Sequence, residues 1–144
     1  YVPVSLLKSE QKAADYVARD PFASVPLLEA DGRDRAQSMA QLEWLEEAYP
    51  EPPLLPSGTE DRFTARELAY AIATETHAPN NLQVLNYLKA EFGASQDQIA
   101  DWYRHWLNRT FAPIEQRLGQ YGAGDFLFDA PGLFEVVLLP QVYN

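Results

Sequence analysis

Residues 24–45 read SVPLLEADGRDRAQSMAQLEWL. The stretch parses as a short strand opened by Pro26, a tight turn at Asp31-Gly32, a second short strand, and a helix entered at Gln37-Ser38. A proline opening a strand has no N–H to give to a ladder. The backbone at Val25 is therefore free to meet something else. A serine at a helix start sits where unpaired N–H groups and the positive dipole end collect, which favours an anion. Folding the strands back at Asp31-Gly32 brings the two points together as a cradle for a small, extended, anionic peptide.

The rest of the composition narrows the partners. The chain has 144 residues, 47% of them hydrophobic and 12% aromatic, enough for a packed core. It has no cysteine, which excludes a disulfide scaffold and a cysteine metal site, and we expect no metal. A net charge of −10 argues against nucleic acid and anionic membrane as partners. An anionic ligand must then find local positive ends, not a general field. No apolar run approaches the ~20 residues of a membrane span, and no secretory apolar region opens the chain. A soluble, cytoplasmic protein is expected. The chain opens at Tyr1 in a strand-like run, its only methionine is Met39, and Asn144 follows an apolar run. We expect a piece of a longer protein, cut at both ends.

Upstream of the cradle, Val2, Val4 and Leu6 alternate as a strand over residues 2–7, with Pro3 at an edge or strand start. Residues 8–19 form a short helix, ended by Asp20-Pro21 because the residue before a proline is pushed out of the helical region. Gln11 opens that helix, and its simplest reading is a solvated polar residue. The charged run Arg33-Asp34-Arg35 suits an exposed sheet edge. In the helix over residues 38–49, Met39, Leu42, Leu45 and Tyr49 form the apolar stripe, Glu43, Glu46 and Glu47 lie off it, and Ser38 is the natural cap.

Downstream, PEPPLLPS (residues 50–57) is a stiff, proline-rich connection and the one linker-like run. Residues 59–92 are helical, with a break near His77 to Asn80 caused by Pro79. Leu68, Ala71 and Ile72 make one stripe, and Leu82, Leu85, Leu88 and Phe92 a second. His77, beside the break, reads first as a local hydrogen-bonding group. Ser95 to Gln98 is a capping box. It starts a long helix over residues 95–121 that buries Ile99, Trp102, Trp106, Phe111, Ile114 and Leu118 and should bend at Pro113. A loop follows at 122–131 and a last helix at 133–143, with Gly132 and Glu135 at its start.

The pattern V-P-(x)10-Q-S-x-A-x-x-x-[WY]-L-E-E, running from Val25 to Glu47, is similar to the glutathione site of the glutathione transferases. LPQVYN, HAPNNLQVLNYLK and PEPPLLP resemble the zeta class, which includes maleylacetoacetate isomerase and maleylpyruvate isomerase. The resemblance extends over nearly the whole chain. It implies an α/β thioredoxin-like N-terminal domain, incomplete and lacking its first strand and helix, followed by a truncated all-α glutathione-transferase C-terminal domain. The divisions are 1–49 for the partial glutathione-binding domain, 50–57 for the linker and 58–144 for the helical domain.

The same resemblance implies glutathione as cofactor, held by Gln11, Val25, Pro26, Gln37, Ser38, His77 and Asn81. It implies a cis Val25–Pro26 bond that turns the Val25 backbone outward to pair with the cysteinyl part of glutathione. It also implies a homodimer and a small dicarboxylic or keto-acid substrate. In this family the glutathione thiolate adds to a cis double bond, the resulting single bond rotates, and the thiolate leaves. The serine-and-arginine turn that stabilises the thiolate lies before Tyr1, so no catalytic residue is assigned and little isomerase activity is expected of these residues alone. Bacterial maleylpyruvate isomerases carry an arginine after the paired asparagines. Leu82-Gln83 stands there here, which leans towards maleylacetoacetate as substrate and fumarylacetoacetate as product. The alternatives are maleylpyruvate isomerisation, a general glutathione transferase or haloacid dehalogenase of the same fold, and a non-catalytic binding module.

Overall fold

Asp31 and Gly32 both adopt positive φ, 53° and 69°, the backbone that a two-residue hairpin turn demands. They join β1 (Leu28–Ala30) to β2 (Arg33–Arg35) as an antiparallel pair in which Leu28 faces Arg35 and Glu29 faces Asp34. Two carboxylates directly opposite would repel. Arg19, in the last turn of α1 (Ala14–Arg19), resolves this. Its Nη2 donates to Glu29 at 2.6 Å and to Asp34 at 2.5 Å, and its Nε donates to Asp34 at 3.0 Å. The hydrogen bond from Arg19 holds the Asp34 carboxyl below the usual carboxylate range. Arg35, read above as an edge charge, lays its guanidinium 3.7 Å from the Trp44 ring centroid and donates to the Ala30 carbonyl.

The computed structural model describes residues 1–120. The chain parts into two compact units, Tyr1–Leu54 and a second from Leu55 onward. In the first unit a short 3-10 turn (Glu10–Lys12) precedes α1, and the hairpin leads into α2 (Ser38–Ala48). The second unit contains α3 (Thr59–Ala71), a π-helical turn (Ile72–His77), α4 (Leu82–Phe92) and α5 (Gln96–Leu118). The π turn and α4 both pack against α5. Ile72, Leu85 and Ile99 are the buried apolar side chains there. Ser95 closes α5 with both bonds of the capping box.

Several expectations are corrected. Residues 2–7 form no strand: Pro3 has no donor to pair, and the Ser5 N–H goes to the Glu10 carboxylate at 2.7 Å. The helix expected over residues 8–19 is interrupted at Ala13, whose extended backbone separates the 3-10 turn from α1. Ser38 is the first helical residue of α2; Gln37 is its cap. The stripe on α2 is also different: Tyr49 is exposed, whereas Gln41 and Glu46 are buried. Glu46 turns inward because its carboxylate accepts the Leu54 N–H at 2.8 Å. The break at Pro79 begins a turn earlier than expected, in the π segment. The loop at 122–131 and the helix at 133–143 lie outside the described residues.

Candidate functional site

The site is built around a residue with nothing of its own to hold. Asp20, fully buried, accepts hydrogen bonds from the Phe22 N–H (3.0 Å), the Ser24 N–H (2.9 Å) and the Ser24 hydroxyl (2.8 Å). The Tyr16 hydroxyl donates to the Ser24 carbonyl at 2.6 Å. Burial, with a smaller push from Asp20, raises the Tyr16 pKa, which keeps that hydroxyl a donor. Ser24 is thus fixed from both sides. Pro26 is fixed by Gln41, whose Nε2 donates to its carbonyl at 2.9 Å. Val25 lies between these anchors, half-buried, and the Val25–Pro26 bond is cis. Neither the N–H nor the C=O of Val25 bonds to any other group among the described residues. An extended peptide can use both, as an added strand does.

The second element is the start of α2. Gln37 has φ 69° and ψ 101°, and its side chain caps nothing. Such a backbone in a non-glycine residue is the sort of outlier that collects at functional sites. The first intrahelical bond runs from the Gln41 N–H to the Gln37 carbonyl. The amides of Ser38, Met39 and Ala40 therefore have no acceptor among the described residues, and the first turn carries no acidic side chain to compete for them. Unpaired amides at the positive end of a helix suit a carboxylate. Gln41 joins the two elements, because its Nε2 also donates to the Arg35 carbonyl at 2.7 Å, at the end of β2.

The sequence-based candidates fall into two groups. Gln11, Val25, Pro26, Gln37 and Ser38 lie in the first unit. Gln11 is buried, not solvated, and its Oε1 has no hydrogen-bond partner among the described residues. An orphaned buried amide oxygen of this kind is costly unless something else meets it. His77 ends the π turn, and Asn81 caps α4 by accepting the Gln83 N–H at 3.1 Å; both belong to the second unit. Beside them Asn80 is buried and donates to the Thr76 carbonyl at 2.8 Å, and the Trp102 indole donates to the Pro79 carbonyl at 3.0 Å. Gln41 and Asp20 were missed. Both are polar residues, and periodicity assigns a polar residue to solvent. Among the described residues no cluster of His, Asp or Glu is arranged to hold a metal, and no helix is long and apolar enough to cross a membrane.

No family model matches the chain. It is 37% identical to the maleylacetoacetate isomerase of Pseudomonas aeruginosa, over 99% of this chain and 67% of that one. It is equally identical, at 37%, to a probable maleylacetoacetate isomerase of Vibrio cholerae, over 94% of this chain and 63% of the relative. The holo structure of a maleylpyruvate isomerase, a bacterial glutathione transferase of the zeta class, superposes with a TM-score of 0.83 at 36% identity, covering 99% of this chain and 68% of that one. The chain belongs to the zeta-class glutathione transferase family. A maleylacetoacetate isomerase from Anaeromyxobacter dehalogenans, solved with glutathione in its active site, matches with a TM-score of 0.71 at 38% identity, over 100% of this chain and 67% of that one. The same enzyme has been solved with dicarboxyethyl glutathione and citrate. The zeta-class assignment sets the fold class as thioredoxin-like α/β followed by all-helical. The chain spans about two thirds of the length of the curated relatives it matches.

Proposed function

We propose that the chain is the glutathione-holding part of a glutathione-dependent cis–trans isomerase that converts maleylacetoacetate to fumarylacetoacetate in tyrosine breakdown. The observation that carries this is that the Val25 backbone and the amides of Ser38, Met39 and Ala40 all lack partners among the described residues. An extended tripeptide with a carboxylate at one end matches both. Val25 would pair with its backbone, Ser38 and the amides after it would take the carboxylate, and Gln11, Pro26 and Gln37 would line the same cradle. His77 and Asn81 are further candidates within the second unit. Bound glutathione supplies a thiol for addition to, and departure from, the substrate double bond. The relatives' names and their glutathione and dicarboxylate ligands support the substrate class. Leu82-Gln83, standing in the region where maleylpyruvate isomerases carry an arginine, favours maleylacetoacetate. Residues 1–49 form the cradle domain and the helical one begins at 58, joined by 50–57. The intact protein works as a cytoplasmic homodimer.

Calorimetric titration with glutathione tests the cradle. Ser38→Asp places a carboxylate where the ligand's belongs. It should weaken binding more than tenfold while leaving the melting temperature unchanged or higher, since an acid in the first turn suits the helix dipole. Unchanged binding by Ser38→Asp, or no binding by the unaltered chain at millimolar glutathione, refutes the reading. A turnover assay of the intact protein with maleylacetoacetate and glutathione then tests the substrate.

A further inference from the structure

We propose that Gln41 is a positioning residue, whose side-chain amide sets the spacing and orientation of the Val25 backbone relative to the amides that open α2. This deepens the glutathione reading above and rests on it for its consequence in binding. Gln41 is buried, at 6% exposure, although it is a polar residue set between Ala40 and Leu42 in α2. Its Nε2 has two protons, and each has an acceptor: the Pro26 carbonyl at 2.9 Å and the Arg35 carbonyl at 2.7 Å. Pro26 directly follows Val25. Arg35 lies two residues before the Gln37 cap. The backbone of Gln41 is itself bonded to Gln37. One residue therefore ties together the segment after Val25, the end of β2 and the start of α2.

The geometry is specific to a neutral amide. A hydrophobic residue of the same size fills the space but leaves two carbonyls without their donor. A carboxylate has the right shape but only acceptors, and faces two more. Ser24 holds the other side of Val25 through Asp20 and Tyr16. Loss of the Gln41 amide thus releases Val25 on its Pro26 side and the end of β2 at Arg35 while Ser24 stays held, and the cradle should open without the unit unfolding.

The test compares Gln41→Met and Gln41→Glu with the unaltered chain by NMR and by glutathione titration well below the melting temperature. In both variants the amide signals of Val25 and of Ser38, Met39 and Ala40 should move, those of α5 should stay, and the dissociation constant for glutathione should rise about tenfold. A space-filling role predicts that both isosteres leave the affinity and those signals in place, and that result overturns the proposal. If the unaltered chain binds no glutathione, the functional reading falls while Gln41 is still judged by the amide signals. If neither variant folds, the unaltered chain decides: the side-chain amide protons of Gln41 should exchange with solvent far more slowly than those of exposed Gln37, and equal rates overturn the proposal.

Discussion

The two units bury different chemistry. Among the described residues, the buried side chains of the first unit are Gln11, Asp20, Gln41 and Glu46, all polar. Those of the second include Ile72, Leu85 and Ile99 alongside Thr64, Thr76, Asn80 and Thr110. The first unit keeps its apolar residues, such as Leu28, Met39, Leu42 and Leu45, only half-buried. Hydrophobic burial is non-directional and scales with area. A hydrogen bond is directional and fixes one atom against another. The helical unit therefore adds buried apolar area to its caps and polar contacts, whereas the cradle relies on a few side chains, Asp20, Gln41 and Glu46, that grip named backbone atoms. Such a construction places Val25 and the start of α2 accurately, and makes the unit vulnerable to single polar substitutions.

The sharpest way to break this contrast is at Asp20. Asp20→Ala removes three hydrogen bonds to a buried carboxylate and should cost about 3–5 kcal/mol. In a denaturant melt followed by segment-resolved hydrogen exchange, the first unit should open while α5 stays protected. Ile99→Ala is the converse experiment. Ile99 is only 2% exposed, and its truncation should cost about 2–4 kcal/mol through the cavity left behind, with the loss of protection confined to α4, α5 and the π turn. If either substitution unfolds both units equally, the contrast is wrong. A smaller effect, about 1 kcal/mol, is expected for Ser95→Ala, which removes one half of the capping box at α5. It should appear as fraying of the first turn of α5 in amide exchange.

The smallest effect concerns the hairpin. Arg19 lowers the Asp34 pKa, so the ionised carboxylate is favoured in the folded state. Its contribution is full above the unfolded carboxylate range and is lost as pH falls through the lowered folded value. Both partners are solvent-accessible, so added salt should weaken the contact as well. Hairpin amide signals of Glu29 and Asp34 followed by NMR from neutral to acid pH, at low and high salt, should show this. Arg19→Met should abolish the dependence.

Much of this was legible in the residues. Asp31-Gly32 announced the hairpin because few dipeptides accept two successive positive φ values. Ser95 to Gln98 announced the start of α5 because a capping box is local chemistry. Pro79 marked the break, though the π turn ahead of it was not visible. Val25-Pro26 and Gln37-Ser38 were legible as candidates because a strand-opening proline and a serine at a helix start flank the hairpin turn. Gln41, Asp20 and Glu46 were not. Periodicity sends polar residues to solvent, and only the approach of distant carbonyls and amides makes burying them favourable. Residues 2–7 failed for the opposite reason: alternation suggests a strand, but a strand exists only where a partner edge meets it.

What the sequence determined alone is whatever depends on neighbours within a few residues: the turn, the caps, the helix-breaking prolines, and the pattern that places the chain among zeta-class glutathione transferases. What the tertiary structure decided is which backbone groups remain unused. Among the described residues Val25 keeps both its polar atoms free, and the Gln41 bridge between Pro26 and Arg35 depends on groups 6 to 15 residues apart meeting in space. No local preference encodes such a meeting, because its energy exists only once the segments have packed.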